Sequence, residues 1–370
     1  MTSAHAFTPD PVRAHGPENL ADARRAHLAS CAETVRRVHD LFVPTAADRL
    51  ALITSNGSVS SDMWSRFRRG AFAACDLRTL NDRDRRILMA LAVQHAARTP
   101  LTFSHSTADA ILDLPAIGNA TELVEFATAP DIRGRSPQSR RRRTSLAPEH
   151  IEVEGLRVTT FDRTVIDRAR SASLESAIAA ADAALRLGVV EQSALLSQAR
   201  ALPKRSRGCK MAELAMCLSD ARAESPLESL SRTRIFQLGL PMPELQVEFF
   251  DASGFIGRVD FYWRQLGIVG EADGRMKFHV ADGLTGDAAE EAVWRAKRRD
   301  DRLRRHPDIR DVGHWDWGEA LNPHRFATVM AGLGVRPEPF RPGQNGGWAL
   351  PDGPLPRKSM HTSVIERYTH

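Results

Sequence analysis

Residues 257–263 read GRVDFYW and residues 266–274 read LGIVGEADG, two apolar runs that each carry an acid where a core strand would ordinarily carry none. Val259, Phe261 and Trp263 in the first run, and Ile268 and Val269 in the second, are β-branched and aromatic residues at strand spacing. LQVEFF (245–250) precedes them, and DASGFIG (251–257) supplies hairpin-turn chemistry between it and the first run. Upstream, Ser225, Pro226 and Glu228 form an N-cap, a first-turn proline and a capping-box acid, so a helix starts there and stops at Gly239. Downstream, AAEEAVWRAKRRDDRLRRH (288–306) predicts a long helix, Asp311 to Trp315 a strand, and NPHRFATVMAGLG (322–334) a short terminal helix. The order helix, strand, strand, strand, helix, strand makes residues 223–333 an α/β domain with a central mixed sheet. Asp260 then lies within the second strand and Glu271 near the end of the third.

Positions on adjacent strands can lie side by side, so these two carboxylates can face one cavity. Hard divalent cations such as Mg²⁺ or Mn²⁺ prefer carboxylate oxygen and keep several waters. A carboxylate buried in an apolar strand needs a cation or a basic partner, and two such groups without one raise each other's pKa. Asp273 is either a third ligand or, with Gly274, an ordinary turn signal. Arg298, Arg299, Arg302, Arg304 and Arg305, interleaved with Asp300 and Asp301, either solvate a helix face through i,i+4 pairs or meet phosphate.

The rest of the chain bounds the problem. A 370-residue chain with 42% hydrophobic content holds two cores, and its net charge of +5 suits nucleic acid without demanding it. Cys31, Cys75, Cys209 and Cys217 form no C-x-x-C pair, and the histidines form no metalloprotease or zinc-finger spacing. Those thiols, the lack of a signal-peptide pattern and the lack of a long apolar run predict a cytoplasmic protein with no membrane contact. Residues 1–20 and 334–370 read as poorly ordered, 21–201 as one module and 202–222 as a linker with a helix. Within the module, TAADRLALIT (45–54) and SSDMWSRFRRGAF (60–72) read as short helices around a Gly-containing turn, the raw material of a helix-turn-helix or of any small bundle. Helices are also expected at 21–39, 81–98, 106–112 and across 161–188, and strands at 122–129 and 150–160. Arg140 to Arg143 fall between those strands and read as a solvated, phosphate-compatible loop.

The run SPLES, RVDFYW, VGEADGRMKF, VWRAKRRDDRLRR and HWDW resembles the nuclease-like domains related to very short patch repair endonucleases, within the PD-(D/E)xK superfamily. That resemblance implies a restriction-endonuclease-like fold over about 110 residues. It implies an acidic site in which Glu228, Asp260 and Glu271 match the three acids, with Asp260, Glu271 and Asp273 as metal ligands. Asp273 stands in the slot of the family's lysine, and Lys277 is the nearest lysine able to take that role. Arg275, Lys297, Arg298, Arg299 and Arg302 are the implied nucleic-acid contacts. FRRGAF, LTFSHSTADAILDLP and GLRVTTFDRTVIDRARSASLESAIAAADAALRLG make the amino-terminal part similar to the antitoxin-like domain of type IV toxin–antitoxin and abortive-infection systems, with a degenerate winged helix at 40–80. Ser104 and His105 are not a catalytic pair on this reading, because no orienting acid is identifiable and Ser106 or Thr107 suits a helix cap.

The expectation is an Mg²⁺- or Mn²⁺-dependent endodeoxyribonuclease fused to an antitoxin-like module. A DNA-binding regulator that keeps the nuclease fold, and a protein-interaction scaffold, stay open as alternatives. So do a homodimer and a separate protein partner.

Overall fold

The computed structural model describes residues 17–43, 65–68, 71–118, 122–128, 138–143, 149–273, 287–337 and 359–361. Within them the chain is a mixed α/β protein, with a helix-rich amino-terminal part and a mixed sheet in its carboxy-terminal part.

Helix α1 (Pro17–His39) leads into a small antiparallel sheet of β1 (Phe42–Val43), β2 (Ser65–Arg68) and β3 (Ala71–Ala73), in the order β1-β3-β2. The helical reading of 60–72 is therefore wrong where residues are described. Ala71 and Ala73 are buried on either side of half-buried Phe72, the period of two that a strand shows. The helix expected from Thr45 lies outside the described residues. Next come α2 (Asp82–His95), capped by the Asn81 side chain on the Asp84 amide, and α3 (His105–Ile111). Ser104, rather than Ser106 or Thr107, occupies the cap position of α3.

A five-stranded mixed sheet holds β4 (Thr102–Phe103), β5 (Val124–Thr128), β6 (Ser139–Arg143), β7 (His150–Val153) and β8 (Leu156–Thr159) in the order β6-β5-β4-β8-β7. Two expectations change here. The segment 150–160 is a hairpin rather than one strand, turning at Glu154 and Gly155, whose φ values of 47° and 75° suit a primed turn. The arginine run is edge strand β6, parallel to β5, not a loop. Helices α4 (Phe161–Ser171), α5 (Leu174–Arg186), α6 (Gln192–Ala201) and α7 (Cys209–Leu218) complete this part. α7 lies in the stretch read as a linker, and it buries Leu214, Ala215, Met216 and Leu218 in the amino-terminal core.

The carboxy-terminal part follows the expected order: α8 (Pro226–Gln237), β9 (Glu244–Asp251), β10 (Gly254–Trp263), β11 (Ile268–Ala272), α9 (Asp287–Arg305) and β12 (Asp311–Trp315). Short helices α10 (Trp317–Leu321) and α11 (Pro323–Gly332) close it, the first of them unanticipated. β9, β10 and β11 form an antiparallel meander, and β12 joins β11 in parallel after the α9 crossover, giving the order β12-β11-β10-β9. One face of this sheet packs Phe261, Trp263 and Trp315 with Leu230 of α8 and Phe326 and Met330 of α11. The other packs Val259, Tyr262, Val269 and Val312 with Leu303 of α9. Gly270 is required beneath the aromatics, because a Cβ there would lie 2.5 Å from the Trp315 ring. Truncating an indole buried like that of Trp315 to Ala costs about 3–5 kcal/mol.

Among the described residues no helix is long and apolar enough to cross a membrane.

Candidate functional site

The acids singled out in the sequence lie on α8, on β10 and along the end of β11. Glu228 sits in the first turn of α8, where the Ser225 side chain accepts from the Glu228 amide at 3.2 Å. In return the Glu228 carboxylate accepts from the Ser225 hydroxyl at 2.8 Å, the Glu224 amide at 2.9 Å and Gln246 Nε2 at 2.9 Å. Capping accounts for the first two bonds and not for the third. Gln246 lies within β9 at a left-handed φ of 55°, a conformation that costs on the order of 1–3 kcal/mol and is kept where surroundings impose it. Burial, then the charge of Asp260, pushes the Glu228 carboxyl above its ordinary range.

Asp260 is half-buried, and its Oδ2 accepts the Ala272 amide at 2.9 Å. β10 and β11 pair Phe261 with Gly270, the last paired position between them, and Asp260 and Glu271 are the residues next to that pair on the two strands. Glu271 is 2% exposed. Its charge is met by Arg299 of α9, whose Nη2 lies 2.7 Å from Oε1 and also donates to the Arg258 carbonyl at 2.7 Å. Arg299 reaches that position over Gly257, where a Cβ would overlap the arginine side chain.

Asp273 follows at the end of β11, its amide bonded to the Trp315 carbonyl at 2.9 Å. Its carboxylate lies 2.6 Å from His314 Nδ1, and Asp300 of α9 lies 2.8 Å from His314 Nε2. An imidazole facing a carboxylate at each nitrogen must carry both protons to donate to both. These two hydrogen bonds push His314 up to about 10. His314 was not singled out in the sequence; it stands in register with Glu271 on the parallel strand β12. Only the HWDW motif within the resemblance pointed towards it.

The expected nucleic-acid residues divide. Lys297 and Arg298 are exposed on α9, Lys297 over the Trp294 ring and Arg298 with Glu291 at 2.9 Å. Arg302 instead clamps the β9–β10 hairpin through Asp251 at 2.6 and 2.8 Å and the carbonyls of Gly254 and Phe255 at 3.2 Å. Arg299 serves Glu271. Arg275 and Lys277 lie outside the described residues.

The chain is 34% identical over 119 residues to uncharacterized proteins from two strains of Mycobacterium tuberculosis. The match covers 32% of this chain and 44% of each relative, so the chain spans less than half the length of the curated relatives it matches. No family model matches, and no solved structure matches.

Among the described residues no group of three or more His, Cys, Asp or Glu is placed to hold a metal ion. The donor set nonetheless suits a hard cation in kind: it is all carboxylate oxygen, and at Glu271 a guanidinium already stands in for a positive charge.

The amino-terminal part holds a second polar cluster. Glu125, 2% exposed, binds the Ser106 hydroxyl at 2.6 Å and Arg142 at 2.5 and 2.8 Å. His105 Nδ1 lies 3.1 Å from Ser104 Oγ, but Ser104 is fully enclosed and burial lowers the imidazole to about 4. A serine sealed from solvent reaches no substrate, so the pair is structural.

Proposed function

We propose that residues 223–333 form a restriction-endonuclease-like domain that hydrolyses DNA phosphodiester bonds with a divalent cation, fused to an antitoxin-like module. One observation carries this reading: Asp260 and Glu271 lie next to the last paired position of adjacent strands β10 and β11, with Asp260 Oδ2 accepting the Ala272 amide, and Glu228 feels the Asp260 charge. Asp260 and Glu271, with Asp273 at the same strand end, are the residues that would hold Mg²⁺ or Mn²⁺. When bound, such an ion supplies Lewis-acid stabilisation to phosphate and a more acidic water. Glu228, buried and raised in pKa, is suited to hold a proton near the reacting phosphate. Lys277 is assigned to orient the attacking water. Exposed Lys297 and Arg298 would carry the DNA backbone.

The test incubates purified protein with plasmid and with single-stranded DNA in the presence of Mg²⁺, Mn²⁺ or chelator, beside Asp260→Asn and Glu271→Gln. Cleavage that needs metal and vanishes in both variants supports the reading; equal residual cleavage in all three proteins means contamination and sinks it. The second reading, a DNA-binding regulator that keeps the fold without turnover, draws on the internal cations at these acids, Arg299 and His314, and on Asp273 in the lysine slot. DNA binding without cleavage under either metal would favour it.

A further inference from the structure

Glu271 is as deeply buried as the apolar residues around it, and a carboxylate in such a place is stable only with a cation against it. The protein supplies one from its own chain, in a seat that is built rather than incidental. Gly257 leaves room where any side chain would strike Arg299, the Arg258 carbonyl takes a proton of Nη2 at 2.7 Å, and the Glu271 oxygen takes another at the same distance. The Glu271 side chain is 3% exposed and that of Arg299 is 28% exposed, so within the pair the arginine is the member open to solvent. A divalent ion at Glu271 would stand beside that guanidinium, 2.7 Å from the same carboxylate, and two positive charges so close in a buried place repel each other. A phosphate matches a planar guanidinium fork as a carboxylate does, so it can compete with Glu271 for Arg299.

We propose that Arg299 is the resident counter-cation of the acidic site and couples DNA binding to metal binding: a DNA phosphate draws the guanidinium off Glu271, and Glu271 then accepts a divalent cation. This rests on the metal-dependent reading above and adds an order of events to it. By linkage, DNA tightens metal binding and metal tightens DNA binding by the same factor. Arg299 is a positioning residue in this scheme. It suppresses metal loading of the DNA-free protein and touches no reacting atom.

The experiment is a calorimetric Mn²⁺ titration of the full chain with and without a short phosphorothioate duplex, for wild type, Arg299→Met, Arg299→Lys and Gly257→Ala. Wild type should bind Mn²⁺ weakly alone and about tenfold more tightly with the duplex. Arg299→Met should bind tightly without DNA and gain nothing from it. Arg299→Lys, which keeps a charge, should stay close to wild type. Gly257→Ala keeps Arg299 but disturbs its seat, and should move towards Arg299→Met; its thermal melt shows that it is folded. Equal Mn²⁺ affinity in wild type, Arg299→Met and Gly257→Ala, unaffected by the duplex, overturns the coupling and leaves the metal site standing. No Mn²⁺ binding by any protein with or without DNA overturns both.

Discussion

Arg232 of α8 and Asp182 of α5 meet at 2.7 Å with each side chain only 1% exposed. The pair joins the amino-terminal core to the helix that carries Glu228, and a second ion pair, Arg234 with Glu175, links the same two helices. Asp182 also accepts the Asp220 amide at 2.7 Å, while Arg232 donates to the Leu218 carbonyl at 2.6 Å. Removing one partner of such a pair strands the other charge away from water, at a cost of about 3–5 kcal/mol. Asp182→Ala should therefore lower stability by about that amount in urea unfolding. Both halves should lose structure in one transition, seen as coincident curves for Trp fluorescence and circular dichroism. A loss below about 0.5 kcal/mol would show that the pair is not holding the halves together.

The His314 imidazole gives a pH prediction. Its folded pKa is raised from 6.5 to about 10 by Asp273 and Asp300, so the protonated form is the stabilising one. That contribution is fully present below pH 6.5 and is lost as pH rises through about 10. The stability difference between wild type and His314→Gln should shrink across this window. A nuclear magnetic resonance titration of the ring should place the wild-type pKa far above 6.5, and Asp300→Asn should bring it back down. An ordinary value in the wild type would refute the two-carboxylate arrangement.

The order of elements in the carboxy-terminal part was legible because its strands are β-branched and aromatic runs and because helix ends and the hairpin turn carry their own residues, Ser225 and Gly239 for the helix and Gly254 for the turn. The amino-terminal part was harder for identifiable reasons. Ile151 and Val153 alternate before Glu154 and Gly155, and Leu156 and Val158 after them with the phase shifted by one residue; the reading joined the two runs and missed the shift that marks the turn. Arg140 to Arg143 looked like a loop because like charges repel; the charge that lets the strand form belongs to Glu125, on a neighbouring strand and buried. Asp260 and Glu271 could be picked out because each interrupts an apolar strand. His314 could not, since its partners lie 41 and 14 residues away and only folding brings them to it.

The β6 strand offers a contrast within one type of residue. Arg142 makes two bonds to buried Glu125, whereas Arg157 pairs with exposed Glu152 across the β7–β8 hairpin. Arg142→Ala leaves Glu125 enclosed with one cation fewer and should cost about 3 kcal/mol in chemical denaturation. Arg157→Ala should change stability by no more than about 0.5 kcal/mol. Equal effects would mean that Glu125 is satisfied without Arg142.

The last prediction separates cations that the sequence grouped together as nucleic-acid contacts. Lys297 and Arg298 project from α9 into solvent, while Arg302 spends its guanidinium on Asp251 and two hairpin carbonyls. A cation that meets a DNA phosphate releases condensed counterions, so each such contact adds about 0.9 to the slope of log affinity against log salt. Affinity for duplex DNA should fall steeply with salt, and Lys297→Ala or Arg298→Ala should each flatten the slope by about 1 without changing the melting temperature. Arg302→Ala should do the reverse. It frees the β9–β10 hairpin, which carries the exposed Phe250 and Phe255 rings, and lowers stability while leaving the salt slope near wild type. Fluorescence anisotropy over a salt series, read beside thermal melts of the same three variants, distinguishes the two roles. A slope that Lys297→Ala and Arg298→Ala leave untouched would remove α9 from the DNA interface. A slope flattened by Arg302→Ala alone would move that interface to the hairpin, where the same arginine would have to leave Asp251 to reach a phosphate.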